Sequence, residues 1–150
     1  MSEELRYKPR HTSNNNADVH VSVTAEHHIP LARHAAADLI DTMGFDSIHK
    51  AALLTAISEL AGNLFFHTSN GGTLTFRPLR DVKAFGLEII VSDEGPGIAN
   101  LEEAMRDGFS TGGGLGGGLP GVRRLMDEFH IESRMGRGTL VRVVKWQSHK

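Results

Sequence analysis

The ten residues 112-GGGLGGGLPG-121 are the most distinctive stretch of the sequence, because they place seven of the chain's 17 glycines in one run before a predicted helix. Glycine lets backbone N–H groups approach an anion closely, and the first turn of a helix adds a favourable dipole. The run therefore predicts a phosphate-binding loop, although a flexible linker has the same composition. It also matches G-x-G-x-x-G, at Gly112 and at Gly116, but no hydrophobic strand leads into it, as a dinucleotide-binding fold requires.

The composition predicts one globular domain in the cytoplasm. The chain has 150 residues, 39% of them hydrophobic and 23% charged, and no apolar run approaches the roughly 20 residues that span a bilayer. The first residues, MSEELRYKPR, lack the apolar core of a signal peptide, and cysteine is absent, which excludes disulfides and thiolate metal sites. The net charge of -2 provides no overall attraction to nucleic acid or membranes, so we expect neither as a partner.

The order of apolar and polar residues predicts an α+β fold. Residues 1–17 are polar and without period, so we expect a mobile arm ahead of one domain, 18–150. Helical and strand patterns then alternate, which predicts a two-layer α/β sandwich with a mixed, mostly antiparallel sheet and helices on one face. The predicted elements are a strand at 19–23, helices at 29–43 and 47–67, strands at 73–78 and 87–93, helices at 101–107 and 120–129, and strands around Ile131 and at 139–146.

A carboxylate lies at the end of the predicted strand 87–93. Asp93 is followed by Glu94-Gly95-Pro96-Gly97, a sharp turn in which glycine lets a flat ring approach the backbone. A carboxylate there can accept a hydrogen bond from an exocyclic amine such as that of adenine. The pattern D-x-G-x-G is also common in turns without a ligand, so the motif alone leaves both interpretations open.

A carboxylate and an amide share one face of the second predicted helix. Glu59 and Asn63 are four residues apart, on the side that also carries Ala52 and Ala56 and should pack toward the sheet. Polar side chains on such a stripe are costly unless they are satisfied. The Asn63 oxygen could coordinate Mg2+ and Glu59 could orient or deprotonate a nucleophile, whereas an ordinary helix-capping or surface pair would do neither.

Four motifs in this order resemble those of the GHKL superfamily, which includes gyrase, Hsp90, histidine kinases and MutL. Its N box resembles Glu59 to Asn63, its G1 box Asp93 to Gly97, its G2 box Gly114 to Gly118 and its last box Gly136 to Thr139. The resemblance covers the chain from about Asp18 onward and implies a Bergerat fold with one site for ATP and Mg2+. It implies Glu59 as the catalytic residue, Asn63 as the Mg2+ ligand, and a nucleotide-binding set of Asn63, Asp93, Gly95, Gly97, Gly114, Gly116, Gly117, Gly118, Leu119 and Thr139.

Within the superfamily, three stretches resemble the stressosome serine kinases of the RsbT type. They are AISELA at 56–61, DGFST at 107–111 and GLPGVRRLMDEF at 118–129, and the similarity continues to Trp146. This resemblance implies a serine/threonine kinase that phosphorylates STAS-domain scaffold and antagonist proteins of the RsbR and RsbS kind. It also implies that the released kinase activates a PP2C-type phosphatase of the RsbU kind.

Two other functions share the same boxes. Anti-sigma factors of the RsbW type bind a sigma factor and an anti-anti-sigma STAS protein, and the boxes themselves are common to both classes. A detached ATPase domain of the gyrase or Hsp90 kind fits less well, because those proteins couple hydrolysis to large attached domains.

Overall fold

The computed structural model describes residues 18–67, 71–93, 95, 105 and 118–149. The arm predicted at 1–17 lies outside these residues, as does the helix predicted at 101–107 apart from Met105. The helices are α1 (His28–Met43), α2 (Ser47–His67) and α3 (Gly118–Leu125), and the strands are β1 (Val19–Val23), β2 (Gly72–Arg80), β3 (Ala84–Asp93), β4 (Glu128–Arg134) and β5 (Gly138–Ser148).

The strands form one five-stranded sheet in the order β1-β2-β3-β5-β4. Each of the four described pairings is antiparallel, and the expected two-layer α+β architecture with a mostly antiparallel sheet is confirmed. The strand β5, last along the chain, is inserted between β3 and β4. This order places Thr139, at the start of β5, directly opposite Asp93, at the end of β3.

The core lies between one face of the sheet and the helices. Strand residues on this face alternate with residues on the other face, as the two-residue period of a strand requires. The sheet contributes Leu74, Phe76, Leu87, Ile89, Val91, Val141 and Val143, and the two long helices contribute Ala32, Ala36, Ile40, Leu53, Ala56, Ile57, Leu60, Ala61 and Leu64. The helix α2 packs against both α1 and α3. It therefore carries apolar residues around much of its circumference.

None of the helices in the described part of the chain is long and apolar enough to cross a membrane.

The opposite face of the sheet carries a row of alternating charges, which we call the charge ladder. Asp18, which precedes β1, pairs with Arg77 on β2 at 2.9 Å. Arg77 pairs with Glu88 on β3 at 3.4 Å, and Glu88 pairs with Arg142 on β5 at 2.7 Å. Arg142 reaches Glu128, at the start of β4, at 2.9 Å. The ladder therefore follows the spatial order of all five strands.

The end of α3 differs from the prediction, because the helix stops at Leu125 and Phe129 belongs to β4. The backbone N–H of Asp127 donates to the Val144 carbonyl at 2.9 Å. The Asp127 carboxylate accepts a hydrogen bond from the backbone N–H of Trp146 at 2.7 Å. These bonds to β5 turn the chain from the helix into the sheet. Phe129 faces the core from a strand. It therefore continues the apolar spacing that predicted a longer helix, although it is not helical.

The strand β2 is longer than predicted, since it continues through Pro78 to Arg80. Proline has no N–H and usually ends a strand that has a neighbour on both sides. Here β1 pairs with β2 only as far as Phe76, so Pro78 has a partner on the β3 side alone. At this edge position the missing N–H interrupts no described pairing.

Candidate functional site

The carboxylate of Asp93 is held at the end of β3 by backbone N–H groups. The N–H of Gly95 donates to Oδ1 at 2.7 Å, and the N–H of Thr139 donates to the same carboxylate from β5. Burial raises the pKa of Asp93, and these two hydrogen bonds lower it in part. The result is an acceptor of fixed position whose charge is only partly solvated.

The neighbouring strand approaches Asp93 closely because it begins with a glycine. Gly72 lies opposite Asp93 in the β2–β3 pairing. A Cβ atom at Gly72 would lie 2.3 Å from the Ser92 carbonyl oxygen and 2.7 Å from Cδ2 of Leu64 on α2. Leu64 therefore lies directly over this end of the sheet, and it brings the adjoining residue Asn63 to the same region.

The predicted pair Glu59 and Asn63 is separated by one turn of α2. Glu59 is buried, with 7% of its surface exposed, and Asn63 is half-buried. A buried carboxylate does not fit the simple interpretation of an exposed surface pair. The structure thus places Glu59 inside the molecule, on a helix whose C-terminal half covers the end of β3 that carries Asp93.

The end of the glycine run is anchored in the core. Gly118 begins α3 with a φ of 68°, a left-handed conformation that glycine adopts without strain. Leu119, next in sequence, is 7% exposed and packs in the core, and α3 contacts α2. The predicted site residues Gly97, Gly114, Gly116 and Gly117 lie outside the described residues. The roles of all the predicted site residues, described or not, stay predictions.

One hydroxyl next to this site was missed by sequence reasoning. Ser133, on β4, lies opposite Thr139, and their hydroxyl oxygens are 2.9 Å apart. The signal was available, because the turn Gly136-Arg137-Gly138 predicts a hairpin that brings a residue just before it against Thr139. The described site is therefore Asp93, Thr139 and Ser133 on three neighbouring strands, with Glu59 and Asn63 on α2.

Residues 21–145 match the family described as histidine kinase-like ATPase domain. The chain belongs to this family. The match includes every site residue named above and nearly all of the described sheet. The expectation of a GHKL-type fold is thereby confirmed.

Proteins similar to this chain include a kinase and anti-sigma factors. Serine/threonine-protein kinase RsbT of Bacillus subtilis (strain 168) is 43% identical over 126 residues, which are 84% of this chain and 94% of the relative. Anti-sigma F factor of Caldanaerobacter subterraneus subsp. tengcongensis is 36% identical over 101 residues, 64% of this chain and 69% of the relative. The expectation of an ATP-dependent protein serine/threonine kinase is confirmed by the first relationship.

A solved structure shares the fold of this ATPase-family chain. The RsbU and RsbW domains of a Mycobacterium tuberculosis protein align with a TM-score of 0.59 at 16% sequence identity. The alignment covers 89% of this chain and 33% of that longer one. At this level of identity the likeness concerns the fold alone.

Proposed function

We propose that this chain uses Mg-ATP to phosphorylate serine or threonine residues of STAS-domain scaffold and antagonist proteins in a partner-switching module. The observation that carries the proposal is the Asp93 carboxylate, held by the N–H groups of Gly95 and Thr139 at the sheet end that α2 covers. The 43% identity to a serine/threonine kinase supports the reaction class. In this proposal residues 18–150 form the kinase domain.

The adenine end of ATP fits beside Asp93. An ionised carboxylate only accepts hydrogen bonds, so it complements the exocyclic amine of adenine. Gly72 leaves the strand beside it without a side chain, and Thr139 adds a hydroxyl on the other side. The phosphates would then extend toward the start of α3 at Gly118, where a helix N-terminus favours anions.

The residues on α2 fit the phosphate end of Mg-ATP. Mg2+ takes oxygen ligands and usually few of them from protein, so the Asn63 amide oxygen is a suitable donor. Bound Mg2+ would supply neutralisation of phosphate charge. Glu59, one turn earlier and buried, would orient the acceptor hydroxyl and take its proton as the oxygen bonds to the γ-phosphorus and ADP leaves.

The partners in this proposal follow from the resemblance to RsbT-type kinases in the stretches 56–61, 107–111 and 118–129. A STAS-domain scaffold and antagonist would hold the kinase and accept the phosphoryl group. Phosphorylation would then release the kinase, which would bind and activate a PP2C-type phosphatase. All of these proteins would meet in the cytoplasm.

The direct test is transfer of label from γ-labelled ATP to a purified STAS-domain protein. We expect Glu59→Gln to lower the transfer rate by about 100-fold or more, as loss of a general base does, and Asn63→Ala to lower it comparably. Glu26→Gln is the matched control, because Glu26 is an exposed glutamate outside the site and should leave the rate unchanged. Transfer that survives both site substitutions would refute the roles assigned to Glu59 and Asn63.

A second candidate function is an anti-sigma factor that also phosphorylates its STAS antagonist. It is supported by the 35–36% identity to anti-sigma F factors over 101 residues. The two functions differ in the third partner. Co-elution of the purified chain with a sigma factor, and not with a PP2C-type phosphatase, would favour the anti-sigma function, whereas the reverse result would favour the kinase described above.

A further inference from the structure

Three side chains form a row across the end of the sheet. Asp93 on β3 lies opposite Thr139 on β5, and Thr139 lies opposite Ser133 on β4. All three occupy the face that packs against the helices, as Val91 and Val141 do two residues further along their strands. The row therefore reaches from the carboxylate of the candidate nucleotide site to a hydroxyl two strands away.

The two described hydrogen bonds of Ser133 can both form with only one direction of the Thr139 hydroxyl. The Ser133 hydroxyl donates to the Gly138 carbonyl oxygen at 3.3 Å, and that carbonyl can only accept. A serine hydroxyl has one proton, so when both bonds of Ser133 are formed, the 2.9 Å contact uses the proton of Thr139. The Thr139 hydroxyl can then accept a hydrogen bond from a ligand beside Asp93, but it cannot donate one.

We propose that Ser133 is a specificity-positioning residue, which makes Thr139 an acceptor and thereby selects a 6-aminopurine over a 6-oxopurine nucleotide. This inference rests on the proposed function, since it assumes that the base of ATP lies beside Asp93. An amino group offers two protons to two acceptors, Asp93 and Thr139. A 6-oxo group is itself only an acceptor. It would therefore form no hydrogen bond with either Asp93 or Thr139.

Removal of the Ser133 hydroxyl should relax this selection. In Ser133→Ala the Thr139 hydroxyl regains its rotation and can donate to a 6-oxo group. We expect the ratio of the Kd for ITP to the Kd for ATP to fall by about three- to tenfold, the size of one neutral hydrogen bond. Ser133→Thr keeps a hydroxyl at the same position and should retain the wild-type ratio.

The measurement is equilibrium binding of ATP and of ITP to each purified variant of the full chain. Ser22→Ala is the matched control, because Ser22 is an exposed strand serine on β1 and should leave the ratio unchanged. A Ser133→Ala protein that binds ATP with an unchanged ratio would overturn the inference and leave the proposed function intact. Wild-type protein that binds no ATP would overturn the proposed function, and the inference with it.

A second variant keeps the inference testable if Ser133→Ala does not fold. Thr139→Val replaces the hydroxyl by a methyl group of similar size, so it removes the acceptor itself. We expect the same loss of preference for ATP over ITP, because this variant removes the hydroxyl that Ser133 orients in the wild-type protein. Wild-type selectivity in Thr139→Val would contradict the inference.

Discussion

At the scale of single residues, Asp93 links nucleotide binding to pH. Burial raises its pKa above the ordinary value of 3.8, against the hydrogen bonds from Gly95 and Thr139. The folded chain therefore binds the Asp93 proton more tightly than the unfolded chain does. The contribution of this group to stability is complete below about pH 3.8 and is lost as the pH rises through the folded pKa. ATP binding requires the charged form of Asp93, and burial in the unliganded protein disfavours that form.

The affinity for ATP should fall as the pH is lowered through the raised pKa of Asp93. Protonation turns one carboxylate oxygen into a donor and removes the charge that attracts the adenine amine. The Kd should rise by about tenfold for each pH unit below that pKa, as for the uptake of one proton. Asp93→Asn should bind ATP weakly and with a flatter pH profile. Isothermal titration calorimetry would measure the Kd for ATP from pH 4 to pH 8, about the range that Asp titration requires. If the Kd changed with pH equally in wild type and in Asp93→Asn, Asp93 would be excluded as the titrating group.

Gly72 should tolerate no side chain. A Cβ atom there would lie 2.3 Å from the Ser92 carbonyl oxygen, which is backbone and cannot move aside without shifting β3. Gly72→Ala should lower the free energy of unfolding by about 1–3 kcal/mol, the usual cost of overpacking, and should weaken ATP binding because Asp93 is displaced. Urea denaturation and ATP titration would measure the two effects.

Gly62 on α2 is the matched control for Gly72. A Cβ atom at Gly62 would meet nothing within 4 Å, and the residue is helical. Gly62→Ala should raise the free energy of unfolding by about 0.5–1 kcal/mol, because alanine loses less backbone entropy in a helix. If the two alanine variants were equally stable, the close approach of β2 to β3 at Gly72 would not be as tight as described.

At the scale of elements, the passage from α3 to β4 depends on Asp127. The β4–β5 pairing starts at Glu128 and Val144, so the Trp146 N–H lies beyond the last described partner on β4. The Asp127 carboxylate takes the place of a strand carbonyl by accepting this N–H at 2.7 Å. A side chain thereby extends the sheet ladder past the end of a strand.

Asp127→Ala should destabilise the protein by about 1 kcal/mol. A hydrogen bond to a charged group contributes about 1.5–3 kcal/mol, and the 42% exposure of the Asp127 side chain reduces this through solvent screening. Asp127→Asn keeps an acceptor oxygen and should lose less. Asp41→Ala removes an aspartate from an exposed pair with Lys50 and serves as the control, with an expected loss of no more than about 0.5 kcal/mol in urea denaturation.

The elements themselves could be predicted from the sequence, whereas some of their ends could not. Periodicity and turn residues identified the long helices and all five strands, because these signals are local. The end of α3 depends on Asp127 meeting β5, and the passage of β2 through Pro78 depends on where β1 stops. Both are contacts between residues far apart in sequence, which no local pattern contains.

The candidate site could be predicted to a similar extent. Asp93 and Thr139 stand in motifs of short spacing, and the structure brings them together. Ser133 and Gly72 acquire their importance only from strand register, which places them opposite Thr139 and Asp93. Strand order cannot be read from a single sequence when a late strand such as β5 enters between two earlier positions in the sheet.

At the scale of the whole molecule, the charge ladder connects all five strands on the face away from the helices. Glu88, at its centre, is 0% exposed and pairs with both Arg77 and Arg142. A carboxylate in this position compensates two buried or half-buried cations at once. Loss of Glu88 would therefore leave the guanidinium groups of Arg77 on β2 and Arg142 on β5 without the carboxylate that they share.

Glu88→Ala should lower the free energy of unfolding by about 3–5 kcal/mol, the range observed when one partner of a buried ion pair is removed. Glu88→Gln keeps the shape and some hydrogen bonding and should lose less. Lys50→Ala, in the exposed pair with Asp41, should cost no more than about 1 kcal/mol and controls for the loss of a surface charge pair. A Glu88→Ala protein within about 1 kcal/mol of wild type in thermal and urea denaturation would show that the ladder adds no net stability.

The position of β5 also determines how the protein can be built during translation. The ribosome makes β1, β2 and β3 first, and these strands can pair in order while α1 and α2 fold onto them. The outer edge of β3, with Leu87, Ile89 and Val91 beside it, stays open until β5 emerges and enters between β3 and β4. An unpaired edge of this kind is a template for association with other chains. A nascent chain stalled before residue 138 would therefore be prone to aggregation, because the strand that pairs with this edge of β3 has not yet been made.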